Sequence, residues 1–410
     1  MTLGVGGKTA AAALASLDNM MAGVQPIGLA EYQARIARAQ ALMREQGWAA
    51  IYVHAGTNLR YFTGTVWHPS ERLVGALIPA EGAPQYLAPA FEEGTLREYM
   101  VVPGALHLWQ EHESPYALLL RVLREMGVVE TAPVGLSEDC PFFVVDGLRE
   151  QSERQAWRNA KPVTAGCRMR KSAAELALMQ RAHDMTLAVH RATASMLHEG
   201  IKTTEVEAFI AEAHRKVGAS GSYFCIVLFG GATAFPHGVK EAQQLRDGDM
   251  VLIDTGCLVQ GYMSDITRSY VFGTPTARQR EIWNLEKAAQ AAAFQAAQLG
   301  VPCCEVDRAA RRVLRAGGLL PGADSPSYAL PGLPHRTGHG CGLDIHEWPY
   351  LVDNDSTPLA EGMCFSNEPM IVCPGEFGVR HEDHVFMSAS GPRWFTQPSP
   401  SIDDPFGLGA

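Results

Sequence analysis

No hydrophobic run in this 410-residue chain approaches the roughly 20 apolar residues that a membrane span requires. No C-x-x-C pair occurs either. The nine cysteines (Cys140, Cys167, Cys225, Cys257, Cys303, Cys304, Cys341, Cys364 and Cys373) are odd in number, and most lie in apolar, strand-like context. They read as buried thiols of a reducing compartment rather than a disulfide framework, which points to the cytoplasm. Basic charge is also scarce. With 34 Lys and Arg against 44 Asp and Glu, the net charge is −10. Nucleic acid as a main partner would demand a basic face, so it is excluded, and the acidity serves solubility. What remains is a 47% apolar, 19% charged composition of the globular kind. The length exceeds one ordinary core, so two domains are expected.

The first 26 residues, MTLGVGGKTAAAALASLDNMMAGVQP, are rich in small side chains and weakly hydrophobic. They read as a poorly ordered leader, with export possible only if the true start lies upstream. From Leu29 to Gly47 the periodicity is helical with a glycine stop. Strand-like AAIYVH, LRYFTG, VGALIP and QYLAPA follow, then helix-like FEEGTLREYM, strand-like ALHLWQ and helix-like SPYALLLRVLREMG. This alternation predicts a small α/β domain with a mixed sheet over 27–165. Over 166–410 a long helix opens on a Ser172-x-x-Glu175 capping box, and a second starts at Thr203. Antiparallel strands, helices near Ala277–Leu299 and Cys304–Ala316, a Gly/Pro-rich loop to Leu333 and the last strands complete it. Helix–helix–strands occurring twice suggests a structural duplication.

Five side chains stand out in that second region: Asp254, Asp265, His339, Glu368 and Glu382. The four carboxylates interrupt apolar strand-like runs, namely MVLIDTGCLV, GYMSDITRSYVF, MCFSNEPMIV and GVRHEDHVFM. Each buried ionised carboxylate costs several kcal/mol unless paired or bound to a cation, and no nearby run of Lys or Arg supplies the charge. Asp254 and Asp265 are symmetric about Val259–Gln260, and Glu368 and Glu382 about Gly375. Two hairpins turning there would each present a facing acidic pair, which would repel unless it held two cations. Two such pairs with one imidazole describe a dinuclear metal site.

The motifs complete the picture: Pro236-His237-Gly238, IDTG with SDITR, HRTGHGCGLDIHEWP from His335 to Pro349, SNEP from Ser366 and VRHED from Val379. Taken in order, they resemble the M24B metallopeptidases, the Xaa-Pro dipeptidases (prolidases) and aminopeptidases P. The resemblance implies an α+β, pita-bread catalytic domain behind a smaller creatinase-like N-terminal domain, and a homodimer. It implies that Asp265 and Glu382 bridge two divalent ions, with Asp254 completing one site and His339 and Glu368 the other. Manganese is the first expectation, with cobalt, zinc or iron also compatible with oxygen ligands and one imidazole. It further implies that Glu368 moves the proton from water to the leaving nitrogen. His237 and His346 are expected to hold the substrate carbonyl or its oxyanion. For His335 a structural role is an equal alternative. Arg380 shares a strand face with Glu382, where it either orients that carboxylate or serves a structural ion pair. His381 and His384 receive no role.

One departure concerns the substrate. Prolidase-like members usually carry an arginine at the third position after the H-E of the HE-x-P segment, reading a dipeptide's carboxylate. Here His346-Glu347-Trp348-Pro349 is followed by Tyr350. Tyr350 is therefore expected to border the substrate, with Arg60, Arg72 or Arg393 as substitute cations. Hydrolysis of short proline-containing peptides, by a dipeptidase first and an aminopeptidase next, is the leading expectation. A pita-bread lyase acting on a small sulfonium compound such as dimethylsulfoniopropionate is the first alternative, with Tyr223, Trp348, Tyr350 and Trp394 as candidate aromatics. A non-enzymatic binding module is the second.

Overall fold

A computed structural model describes residues 2–319 and 331–409, which form two compact units, Pro26–Arg168 and Met1–Gln25 with Met169–Ala410. Of the Gly/Pro-rich stretch expected before Leu333, residues 320–330 lie outside the described residues. Among the described residues, no helix is long and apolar enough to cross a membrane.

The unit Pro26–Arg168 is an α/β domain on a six-stranded mixed sheet. Strand Ala50–His54 pairs antiparallel with Gly75–Pro79 and parallel with Pro133–Leu136. The helix Leu29–Gln46 ends at Gly47, whose φ of 68° only glycine adopts without cost. The strand-like LRYFTG is a correction: residues Thr57–Thr63 are helical. Gly56 and Gly64 (φ 129° and 73°) bound it, and Thr63 Oγ1 donates back to the Leu59 carbonyl within the turn. Its apolar run is buried on all sides, so periodicity alone could not separate strand from helix.

In the second unit the helix Ala173–Met196 starts at the reciprocal Ser172/Glu175 capping box, and Thr203–Lys216 follows. Strands Ser222–Phe229, Met250–Val259 and Ile266–Val271 form one antiparallel sheet. After helices Ala277–Ala296 and Cys303–Ala316, a five-stranded sheet runs in the order Glu347–Leu351, Gly338–Gly340, Cys364–Asn367, Asp383–Ser388, Gly391–Trp394. The order of elements repeats, as the duplication reading requires. Trp283, Leu252, Phe365, Ile371 and Val379 belong to one continuous core under these strands. Each such side chain contributes about 1.5–3 kcal/mol by burial.

The N-terminal segment, expected to be a poorly ordered leader, is instead part of this unit. Thr9 caps a short helix, Ala10–Ala15, that buries Ala13. Backbone bonds tie Thr2 to the Gly273 carbonyl, Gly6 to Ala194 and Lys8 to Ser195. Small residues bring the chain close to the end of helix Ala173–Met196, where free carbonyls need donors. Composition gives no sign of that pairing.

His214 shows how this unit responds to acid. It lies fully buried, bonded to Thr186 Oγ1 at 3.1 Å and Ser222 Oγ at 2.8 Å, and burial lowers its pKa to about 4. Between pH 4 and about 6.5 the unfolded chain binds a proton there that the native state refuses. The stability this residue contributes is therefore present above pH 6.5 and lost as pH falls. Denaturant titrations of wild type and His214→Gln should show their stability gap narrowing by about 2 kcal/mol from pH 7 to pH 5. A pH-independent gap would contradict a neutral buried imidazole.

Candidate metal centre and active site

Two hairpins meet at the site. In the first, Val259 pairs with Tyr262 and Thr267 with Asp254, so the turn is centred on Gln260–Gly261. Both of those residues have positive φ (51° and 85°), as a two-residue hairpin turn of this hand requires. The expected centre, Val259–Gln260, was one residue early, so Asp254 faces Thr267 rather than Asp265. That changes the pairing by two residues and keeps the face, because side chains alternate with a period of two. Asp265 thus sits diagonally from Asp254 on one surface. Gly256 lies between them: a Cβ there would stand 1.9 Å from the Ser264 carbonyl oxygen. In the second hairpin Asn367 pairs with Asp383 and Met370 with Arg380, bracketing Glu368 and Glu382 in a common register about Gly375. An isolated bridge between Thr267 and Glu382 joins the hairpins, and Thr267 Oγ1 donates to Glu382 Oε2 at 2.7 Å.

His339 enters from the strand Gly338–Gly340, which approaches its neighbour so closely that a Cβ on Gly338 would lie 2.0 Å from the Ser366 carbonyl oxygen. Its Nδ1 lies 3.0 Å from the Gly340 carbonyl, so Nδ1–H donates there and Nε2 faces the carboxylates. Nε2 is 3.1 Å from Glu368 Oε1 and 3.9 Å from both Asp265 Oδ2 and Glu382 Oε1. Ser366 Oγ accepts from the His339 amide and donates to Glu368 Oε1, locking the two together.

Arg380 brings positive charge into contact with the cluster. It ion-pairs with Asp254 Oδ2, donates from Nε to Thr267 Oγ1 at 3.1 Å, and reaches the Pro236 carbonyl at 3.2 Å. Were all four carboxylates ionised, the Arg380 guanidinium would offset only one of them. Among the described residues, Asp254 Oδ1, Asp265 Oδ1 and Glu382 Oε1 are buried with no hydrogen-bond partner. Burial first, then the neighbouring carboxylates, push Asp265 and Glu382 above the usual range. Burial also raises Asp254, against the pull of Arg380. For Glu368 burial pushes upward too, but the bond and charge of His339 prevail and hold it low. Three partnerless oxygens, one imidazole nitrogen and uncompensated negative charge fit divalent cations.

A cavity of about 600 Å³ opens over this cluster. Asp254, Asp265, His339, Glu368, Glu382, His237, His335, His346 and Arg380 all line it. The His346 ring sits 4.2 Å from His339, edge to face, and His335 Nδ1 is 2.7 Å from the Arg336 carbonyl. Tyr350 is not among the lining residues, although it pairs across the sheet with His339. Arg60 and Arg72 belong to the other unit, where Arg72 is engaged by Glu71 and Glu111 on the surface. Arg393 is exposed on the strand Gly391–Trp394.

Sequence reasoning missed three features. Arg336 lines the cavity, its guanidinium 4.5 Å from the Tyr350 ring centre. His384, two residues beyond Glu382, clusters with Asp265 and Glu382, and the i, i+2 rule applied to Arg380 would have found it. Arg268 and Asp383 form a fully buried pair at 2.7 Å behind the site, and Arg268 also holds the Glu382 carbonyl at 2.9 Å. A charge inside an apolar strand run was the available signal.

A pita-bread fold that gathers acids and histidines under one cavity is the architecture of a hydrolase class. The comparisons agree. The model of metallopeptidase family M24 matches residues 177–389, and that of the creatinase/prolidase N-terminal domain matches 35–170. The chain belongs to metallopeptidase family M24 and is a hydrolase. It is 33% identical to "Probable dipeptidase PepE" of Mycobacterium tuberculosis over 88% of this chain and 93% of that one. It is 29% identical to the Xaa-Pro dipeptidase of Pyrococcus furiosus, over 88% and 97%. The crystal structure of dipeptidase PepE from Mycobacterium ulcerans superposes with a TM-score of 0.84 at 32% identity, covering 92% of this chain and 99% of that one.

Arg380→Met should remove the guanidinium that pairs with Asp254 and leave that carboxylate buried and unpaired. In chelator-treated protein we expect a loss of about 3–5 kcal/mol in denaturant unfolding. A loss under about 1 kcal/mol would show that Asp254 is neutralised by another route.

Proposed function

We propose that this protein hydrolyses the peptide bond preceding proline, as an Xaa-Pro dipeptidase first and an Xaa-Pro aminopeptidase next, with two divalent ions. The observation that carries the reading is the set of buried, partnerless carboxylate oxygens beside His339 under a histidine-rimmed cavity. Relatives bearing dipeptidase and Xaa-Pro dipeptidase names supply the substrate class. They lend no support to the lyase alternative, and a hydrolase is not a mere binding module. Asp254, Asp265, His339, Glu368 and Glu382 would hold the ions, with Asp265 and Glu382 serving both. Manganese is the first candidate, and cobalt, zinc or iron fit the same donors. Bound there, such ions supply Lewis acidity toward the scissile carbonyl and lower the pKa of a water.

The chain's own groups do the rest. Glu368 takes the proton from the attacking water and returns it to the departing prolyl nitrogen. His346 and His237 donate to the carbonyl oxygen as charge develops on it. Partial enclosure, then the neighbouring His339, lowers His346 to about 4, so it enters as a neutral donor. His335 frames the cavity beside them. The reading includes a homodimer working in the cytoplasm, in keeping with nine free thiols.

The substrate's C-terminal carboxylate we assign to Arg336, whose guanidinium is braced over Tyr350 at the cavity wall. Stacking fixes the planar fork for two-point recognition of a carboxylate. Tyr350 would act through that arginine, which explains a family position lacking its usual cation.

Two experiments test the reading. Manganese-loaded protein should release proline from Ala-Pro, and Asp265→Asn should lose both activity and bound metal. Two full equivalents of metal in active Asp265→Asn protein, or turnover of dimethylsulfoniopropionate in place of Ala-Pro, would overturn it. Arg336→Ala should raise KM for Ala-Pro about 10–100-fold, the scale of a charge-assisted hydrogen bond, with kcat little changed. Ala-Pro-amide should be insensitive to the change; an equal rise for both substrates would remove Arg336 from carboxylate recognition.

A further inference from the structure

His384 is a fully buried imidazole whose two ring nitrogens have no hydrogen-bond partner among the described residues. Buried polar groups are ordinarily satisfied, so a side chain with both nitrogens bare calls for an explanation. Its position supplies one. His384 lies on the strand Asp383–Ser388 opposite Ser366, the residue that holds His339 and Glu368 in place. It shares a strand face with Glu382, and its Nε2 is 3.7 Å from Glu382 Oε1, itself a partnerless atom.

That separation is too long for a hydrogen bond. It is the spacing expected of two donors on one ion, since metal–ligand bonds of about 2.0–2.2 Å put neighbouring donors roughly 3–4 Å apart. His339 Nε2 stands in the same relation to its carboxylates, at 3.1–3.9 Å. Donor atoms of Asp265, Glu382 and His384 fall within 4.8 Å of one another, as do those of His339, Glu368 and Glu382. Glu382 is common to the two sets.

A second imidazole packs against the ring. The His183 ring lies 4.7 Å away, held by a stack on Phe395. Its Nδ1 is 2.7 Å from the Met179 carbonyl and donates to it, so its Nε2 carries a lone pair. Neither His183 Nε2 nor His384 Nδ1 has a hydrogen-bond partner among the described residues, so packing holds the ring.

We propose that His384 is a further metal ligand of this protein, joining Asp265 and Glu382 and giving the centre two imidazoles. The inference rests on the reading that these carboxylates hold metal. A second imidazole shifts the site toward zinc, cobalt and iron and away from manganese, which prefers oxygen donors.

X-ray absorption of the zinc-loaded wild-type protein counts imidazoles directly, and competition with a chromophoric chelator gives the affinities. We expect two ions and two imidazoles per chain. His384→Phe, which keeps a ring in the space, should show one imidazole and bind one of its two zinc ions about 10–100-fold more weakly. It should lose less affinity for manganese than for zinc. Two ions with a single imidazole in the wild type would overturn the role of His384 while leaving the metal reading intact. Unchanged zinc affinity and selectivity in His384→Phe would overturn it likewise. No zinc uptake by the wild type would overturn both.

Discussion

A shortage of positive charge around three buried carboxylates and a partly buried fourth governs this fold. Asp254, Asp265, Glu368 and Glu382 share one guanidinium, that of Arg380, and the geometry holds them together against their repulsion. The effective penalty is several kcal/mol per ion. A continuous core offsets it, with Trp283, Phe365, Leu252 and their neighbours contributing about 1.5–3 kcal/mol each. Close backbone approaches at Gly256 and Gly338 leave the strands no freedom to separate the acids. The site is thus a place where stability gives way to electrostatic demand.

Contrast with Asp383 shows what distinguishes a structural acid from a demanding one. Asp383 is as buried as Glu382, its neighbour in sequence, yet its oxygens accept from Arg268, Thr396 and Gln290. Both of its oxygens are engaged. Asp254, Asp265 and Glu382 each keep one oxygen without a hydrogen-bond partner among the described residues. Burial alone would rank these residues together; the count of unused lone pairs separates them. Arg268, paired with Asp383, holds the Glu382 carbonyl, so the ion pair helps position the neighbouring acid.

Much of this was legible in the sequence, because strands have a simple period. Carboxylates in apolar runs, placed symmetrically about Gly375, gave the second hairpin its register. For the first hairpin the centre was misplaced by one residue, since symmetry carries no information about which pair can adopt positive φ. The face survived the error because the resulting shift was even. LRYFTG failed for another reason: a short run buried on every side has no periodicity to report. The N-terminal segment failed because backbone hydrogen bonds, rather than side-chain pattern, hold it in place.

The substrate end was the least legible, and its chemistry explains why. Metal donors must project from rigid, in-register strands, and register is written in the spacing of residues. Recognition of a peptide terminus instead depends on side chains brought together by tertiary packing. Arg336 lies in the HRTGHG segment, fourteen residues from Tyr350 in the sequence. Only the folded sheet lays the guanidinium over the ring. His384 occupies a middle position: its strand parity was readable beside Glu382, but its nitrogens' lack of hydrogen-bond partners among the described residues was not. A spacing argument locates donors, whereas deciding which donors lack a partner requires every neighbour to be known.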